Sequence, residues 1–167
     1  MALVLNEDQL MLKDMAKGFL ADKAPVSQLR RLRDERDEDG YSKALWAEMA
    51  EMGWAGVLVP EEHGGIDFGY VGAGIILEEM GRTLTASPFF STAVLGATLL
   101  SRFGSDSQKS DMLPKLVEGQ LITALACDER PRHAPSFIQT KAESSGNGFK
   151  LNGAKCFVLD GHVADKL

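Results

Sequence analysis

The apolar positions of this 167-residue chain change their spacing once, and the change divides it in two. Over the first two thirds they recur at helical intervals. Leu12, Met15, Ala16, Phe19 and Leu20 share one face, Asn6 followed by Gln9 has the form of a capping box, and Pro25 stops the pattern. The next predicted helix is polar, runs through Leu29 and Leu32, and ends near Gly40. Ser42 caps a third, carrying Leu45, Trp46, Met49 and Met52, with Gly53 in the C-terminal capping position. Trp54 to Pro60 is a short buried run that leads into the turn-rich Glu61-Glu-His-Gly-Gly65. Three more helices follow. One spans Gly69 to Met80 and is closed by Gly81. Another starts at Ser87-Pro88 and ends at Gly104. The last opens on Ser105 or Asp106 with Gln108 completing a box, is bent or shortened by Pro114, and finishes at Gly119.

Beyond Gly119 the pattern becomes that of strands. Apolar runs at 121–126, 137–142 and 149–159 are separated by the turn-like Arg130–Pro135 and Ser144–Gly148. The predicted class is therefore α+β: an all-α domain over residues 1–119, then the first antiparallel strands of a β domain over 120–167. About three strands cannot make a self-contained layer, so the β part reads as unfinished. It is expected to leave an open edge and an uncovered apolar face formed by Ile122, Ile138, Phe149, Phe157 and Val158.

Charge narrows the range of partners. Eighteen basic against 24 acidic residues give a net charge of −6, so no excess positive charge is available for nucleic acid or an anionic membrane. The dense basic run Arg30-Arg31-Leu32-Arg33 is followed at once by Asp34 and Glu35 and reads as a solvated helix face. The start, Met1-Ala2-Leu3-Val4-Leu5, lacks a basic region and a full apolar core, so no signal peptide is expected, and no uncharged run reaches spanning length. Cys127 and Cys156 are too few for a disulfide framework and too far apart for a CxxC pair. They read as reduced thiols of a cytoplasmic protein.

Several features invite chemistry without supporting it. Gly69, Gly72 and Gly74 are in the wrong order for a phosphate-cradling loop and read as close helix packing. Glu61, Glu62, His63 and Asp67 lack the spacing of a metal site, so no metal is expected. His133 and His162 have no serine or cysteine elbow beside them, so no nucleophile–base pair is expected.

Four segments occur in an informative order: Trp54-Ala-Gly-Val-Leu-Val-Pro-Glu-Glu-His-Gly-Gly65, Leu77-Glu-Glu-Met-Gly-Arg82, Leu151-Asn-Gly-Ala-Lys-Cys-Phe157 and Gly161-His-Val-Ala-Asp165. Together they resemble the acyl-CoA dehydrogenase family of flavoenzymes across essentially the whole chain. The resemblance implies an N-terminal helical domain and the start of a middle β-barrel, from a fold that ends in a four-helix bundle. It also implies α,β-dehydrogenation of an acyl-CoA thioester, with FAD accepting the β hydrogen as hydride. The family's catalytic carboxylate belongs to the C-terminal bundle, so no Asp or Glu of this chain is assigned as the base.

The resemblance further implies two flavin-contacting segments. Where the family reads Thr-Glu-Pro and then Gly-Ser-Asp, this chain has Ala126-Cys-Asp-Glu-Arg-Pro-Arg-His-Ala-Pro135, with either Cys127 or Asp128 in the threonine's place. Where it reads Trp-Ile-Thr-Asn, this chain has Phe157-Val158-Leu159-Asp160, and Leu159 has no hydroxyl to offer. Ala126, Cys127, Asp128, Phe157, Val158 and Leu159 are thus the candidate cofactor-binding residues. Phe89, Leu95 and Leu99, on the helix that matches the family's acyl-pocket helix, are the candidate substrate-binding residues. The implied partners are an acyl-CoA substrate, a second copy or another dehydrogenase subunit, and an electron-transfer flavoprotein. The altered segments also raise an alternative: a non-catalytic partner subunit of a dehydrogenase assembly that no longer binds flavin.

Overall fold

A computed structural model describes residues 4–167. The Met1–Leu3 part of the leader reading lies outside the described residues. Among these residues six α-helices, α1 (Glu7–Lys23), α2 (Val26–Glu35), α3 (Lys43–Glu51), α4 (Gly69–Thr83), α5 (Ala97–Phe103) and α6 (Asp106–Val117), precede one antiparallel hairpin, β1 (Lys141–Ser145) and β2 (Gly148–Asn152). A π-helical segment, Phe89–Gly96, leads directly into α5.

Local chemistry explains where the helices start. Asn6 and Ser105 form reciprocal capping boxes with Gln9 and Gln108, and the Ser42 hydroxyl accepts the Leu45 N–H. Two helix ends differ from the sequence expectation. The second helix stops at Glu35, with Arg36 left-handed, because the Asp37 carboxylate accepts the Asp39 and Gly40 N–H groups and builds a turn there. Helix α4 passes through Gly81 to Thr83, since Arg82 reaches back to Glu78 (3.0 Å) and Glu79 (3.1 Å) and supports one more turn.

The core lies between α1, α3, α4 and the π-helical segment. Leu12, Ala16 and Leu20 of α1 share it with Ala73, Ile76 and Met80 of α4, with Trp46 and Met49 of α3, and with Phe89. Phe19 meets Trp54 edge to face, ring centroids 5.3 Å apart. Each fully buried Leu, Met or Phe here contributes about 1.5–3 kcal/mol. A second cluster, Val59, Ala97, Leu113 and Leu116, secures α5 and α6.

The β part departs from the three predicted strands. Residues 121–124 are buried and extended, and among the described residues their strand-type pairing is limited to an isolated parallel bridge, Thr123 to Lys166. Among the described residues, regular pairing is confined to Lys141–Ser145 against Gly148–Asn152. Phe157 and Asp160 have left-handed backbone, so the predicted third strand ends early and turns back. Ile122 is buried, not part of an uncovered face.

Candidate functional site

The chain after Gly119 is laid against the helices by main-chain hydrogen bonds. The Trp46 indole donates to the Gly119 carbonyl at 3.1 Å. The Thr92 hydroxyl accepts the Thr123 N–H (3.1 Å) and donates to the Thr123 carbonyl (3.3 Å). A side chain at Gly96 would collide with the Thr123 hydroxyl, so glycine there permits the close approach. From the other end, Asp165 pairs with Ile122 through a carboxylate oxygen and its own N–H, both at 2.8 Å. The Ser91 hydroxyl donates to Asp160 at 2.6 Å.

This tethering brings two distant segments together. The Cys156 N–H donates to the Asp128 carbonyl at 2.8 Å, and the Lys155 ammonium to the Cys127 carbonyl at 3.3 Å. Lys155 also meets the Glu129 carboxylate at 2.8 Å, and that carboxylate accepts the Gln139 and Thr140 N–H groups. Lys155 and these donors hold the Glu129 carboxyl well below the usual carboxylate range, at about 2. Asp128 is lowered as well, by the Ala134 N–H and then by His133.

Two depressions flank the junction. The first, of about 270 Å³, is apolar and is lined by Leu99, Leu100, Met112, Thr123, Leu125 and Ala126 among others. Its Thr123 hydroxyl is buried and has no hydrogen-bond partner among the described residues. The second, of about 430 Å³ and open to solvent, is lined by Ala126, Lys155, Val158, Gly161, His162 and Leu167. The two share Ala126 and Leu167.

Residues 6–120 match the family model described as acyl-CoA dehydrogenase, N-terminal domain. The mitochondrial isovaleryl-CoA dehydrogenase of Pongo abelii is 32% identical over 168 residues, covering 98% of this chain and 39% of that protein. The chain belongs to the acyl-CoA dehydrogenase family. Among solved structures, a Tcur3481–Tcur3483 steroid ACAD variant superposes with a TM-score of 0.82 at 30% identity, covering 95% of this chain and 43% of that one. An acyl-CoA dehydrogenase from Bacillus anthracis, complexed with FAD, superposes with a TM-score of 0.79 at 26% identity, covering 92% and 27%. The chain thus spans about two fifths of the length of the curated relative.

Within this acyl-CoA dehydrogenase fold the candidate residues have different fates. Ala126 lies between the two depressions and Val158 lines the open one. Cys127 is half-buried, its carbonyl occupied by Lys155. Phe157 and Leu159 are 78% and 51% exposed. Leu99 lines the apolar cleft; Leu95 is partly buried and is not among the residues that line it. Phe89 is wholly buried in the core and lines neither depression.

The side chains at these positions do not fit a flavin's pyrimidine edge. Asp128 is an acceptor-only anion already engaged by His133 and Ala134, and Leu159 has nothing to donate. Glu129, Lys155, Thr92 and Thr123, which organise the junction, were not singled out in the sequence. Glu129 stands in the 126–135 segment and Lys155 in the Leu151–Phe157 segment, but their pairing across 26 residues leaves no local signal.

Proposed function

We propose that this chain is the N-terminal part of an acyl-CoA dehydrogenase-like protein and supplies one apolar wall of an acyl-CoA site. Its organisation in this reading is a helical domain over 1–119 and the start of the β domain over 120–167. The observation that carries the reading is the apolar cleft at Leu99, Leu100 and Met112, which opens beside the junction of residues 126–128 with 155–158. Such a wall receives an aliphatic chain and excludes water from it. The residues lining the cleft include no Asp or Glu, which accords with a catalytic carboxylate supplied from outside these 167 residues. When bound, FAD would supply hydride acceptance; this chain would meet it mainly through main-chain groups and would bind it weakly alone. The same reading places the protein in the cytoplasm with its two thiols reduced and gives it an electron-transfer flavoprotein as redox partner.

The expected outcome is no dehydrogenation of acyl-CoA by the 167-residue chain in an electron-acceptor assay. Measurable turnover that disappears when one of its own acids is replaced would overturn the assignment. Filling the cleft with Leu99→Trp should weaken the binding of a short-chain acyl-CoA at least several-fold. Equal binding by the variant would remove the cleft from the site. A second reading, a non-catalytic subunit of a dehydrogenase assembly, is favoured by one observation, the loss of side-chain donors at Asp128 and Leu159. Undetectable flavin binding even in a reconstituted assembly would select it.

A further inference from the structure

Asparagine and aspartate change covalently fastest where glycine follows, because no Cβ then hinders attack by the next main-chain nitrogen. The chain has four such pairs: Asp39-Gly40, Asn147-Gly148, Asn152-Gly153 and Asp160-Gly161. Three of them are held. The Asp39 carboxylate pairs with Lys43 at 2.7 Å, and the Gly40 N–H donates to Asp37 at 2.9 Å. Asp160 accepts the Ser91 hydroxyl at 2.6 Å, and the Gly161 N–H donates to the Val158 carbonyl at 3.1 Å. Asn152 pairs with Lys141 in the ladder, and Gly153 lies against Thr140, where an added Cβ would fall 2.4 Å from the hydroxyl and 2.7 Å from Cα. The Thr140 N–H is itself tied to Glu129 at 3.1 Å. Ring closure at Asn152 needs a main-chain rotation that these contacts resist.

Asn147 is placed differently. It is the second residue of the two-residue turn between β1 and β2, after Gly146 with φ +60°. It is exposed, and nothing lies within 4 Å of where a Cβ would stand on Gly146 or Gly148. Gly148 occupies the last rung of the ladder, opposite Ser145. A two-stranded ribbon exposed at every residue is marginally stable, and its end rung opens readily.

We propose that Asn147 is a site of spontaneous deamidation, with Gly148 as the attacking residue and water as the co-reactant. The Gly148 main-chain nitrogen bonds to the Asn147 Cγ, and the side-chain amide nitrogen leaves as ammonia with the proton that Gly148 gives up. Water then opens the cyclic imide at one of its two carbonyls, giving aspartate or isoaspartate; nothing is oxidised or reduced. Either product adds negative charge to a chain already at −6. Isoaspartate also routes the main chain through the side-chain carbon. The turn then gains a backbone atom and no longer sets the Ser145–Gly148 register. The hairpin that presents Phe149 and Leu151 thus carries its own chemical lifetime.

The test follows the full chain in mildly alkaline buffer by peptide mapping. Mass spectrometry scores the amide-to-acid change, and fragmentation separates aspartate from isoaspartate. Asn147 should convert at least several-fold faster than Asn152 in the folded chain, and the two rates should converge in denaturant, where the fold no longer distinguishes them. Gly148→Ala, which has room for its methyl group, should slow conversion at Asn147 several-fold and leave Asn152 unaltered. Aged wild-type chain should lose amide-exchange protection across β1 and β2. Freshly prepared Asn147→Asp, which has the charge without the longer backbone, should keep it. Circular dichroism identifies a variant that has lost its helices, and the wild-type comparison of the two asparagines then decides. Equal rates at Asn147 and Asn152 in the folded chain would overturn the site. So would a ratio that persists in denaturant, since local sequence and not the turn would then set it. Unchanged conversion in folded Gly148→Ala would remove Gly148 as the attacking residue, and full protection in isoaspartate-containing chain would overturn the change of register.

Discussion

Glu129 is the residue on which the junction depends most. Its carboxylate joins three points of the chain that are otherwise independent: the entry of the 130–138 loop, where it stands, the Gln139–Thr140 main chain at the loop's exit, and Lys155. Because those contacts favour the ionised form, they persist above the ordinary carboxylate pKa. They are lost as the pH falls from about 4.5 toward about 2, the value at which the folded state takes up the proton. Amide exchange at Gln139 and Thr140 should stay protected at pH 5 and lose protection selectively through that window. Glu129→Gln should show the fast exchange at pH 7 as well. Unchanged protection in the variant at neutral pH would mean that the loop is held by other contacts. The same residue shows a limit of sequence reading. An acid inside Cys127-Asp-Glu-Arg130 looks like any surface acid until a lysine 26 residues away is brought to it.

At the scale of elements, the handover from α6 to the extended 121–124 segment turns on Gly119. It has φ +72°, and an added Cβ would fall 2.8 Å from that of Ala50, while its carbonyl takes the Trp46 indole. Gly119→Ala should therefore cost about 1–2 kcal/mol from the left-handed backbone alone, with further loss from crowding against α3. Urea denaturation would show it as a lower midpoint with an unchanged slope. Glycine at that point was legible as a helix terminator, as were the caps at Asn6, Ser42 and Ser105, because caps are chemistry between residues three apart. The strands were less legible. An apolar run such as Leu121–Ala126 looks the same whether it pairs in a ladder or is simply buried against helices. Here the Thr92 hydroxyl and the Asp165 carboxylate supply hydrogen bonds that a neighbouring strand would otherwise give. The return at Phe157 and Asp160 was hidden for another reason, since left-handed backbone at non-glycine residues carries little mark in sequence.

For the whole molecule, the contrast between the two parts has a consequence in solution. The helices bury a shared apolar core, whereas every residue of β1 and β2 is exposed. The register pairs Ala142 with Leu151 and Ser144 with Phe149, so these four share one face of the hairpin, and Lys141, Glu143 and Lys150 share the other. Phe149 and Leu151 are each 72% exposed, with Ile138 at 67% and Phe157 at 78% elsewhere in the same part of the chain. Covering such side chains is worth about 1.5–3 kcal/mol each when burial is complete, a large fraction of an ordinary domain's stability. Among the described residues both outer edges of the two-stranded ribbon also lack a neighbouring strand, which favours pairing with another chain. The 167-residue chain is therefore expected to associate with a second copy or a partner chain, and sedimentation velocity should show a weight-average mass that rises with concentration in the micromolar range. Phe149→Ser with Leu151→Ser removes apolar surface without touching the helical core, so it should shift the population toward monomer while the helical circular dichroism is retained. A wild-type chain that remains monomeric at tens of micromolar, with a melt no less cooperative than the double variant's, would show that the hairpin is stable uncovered.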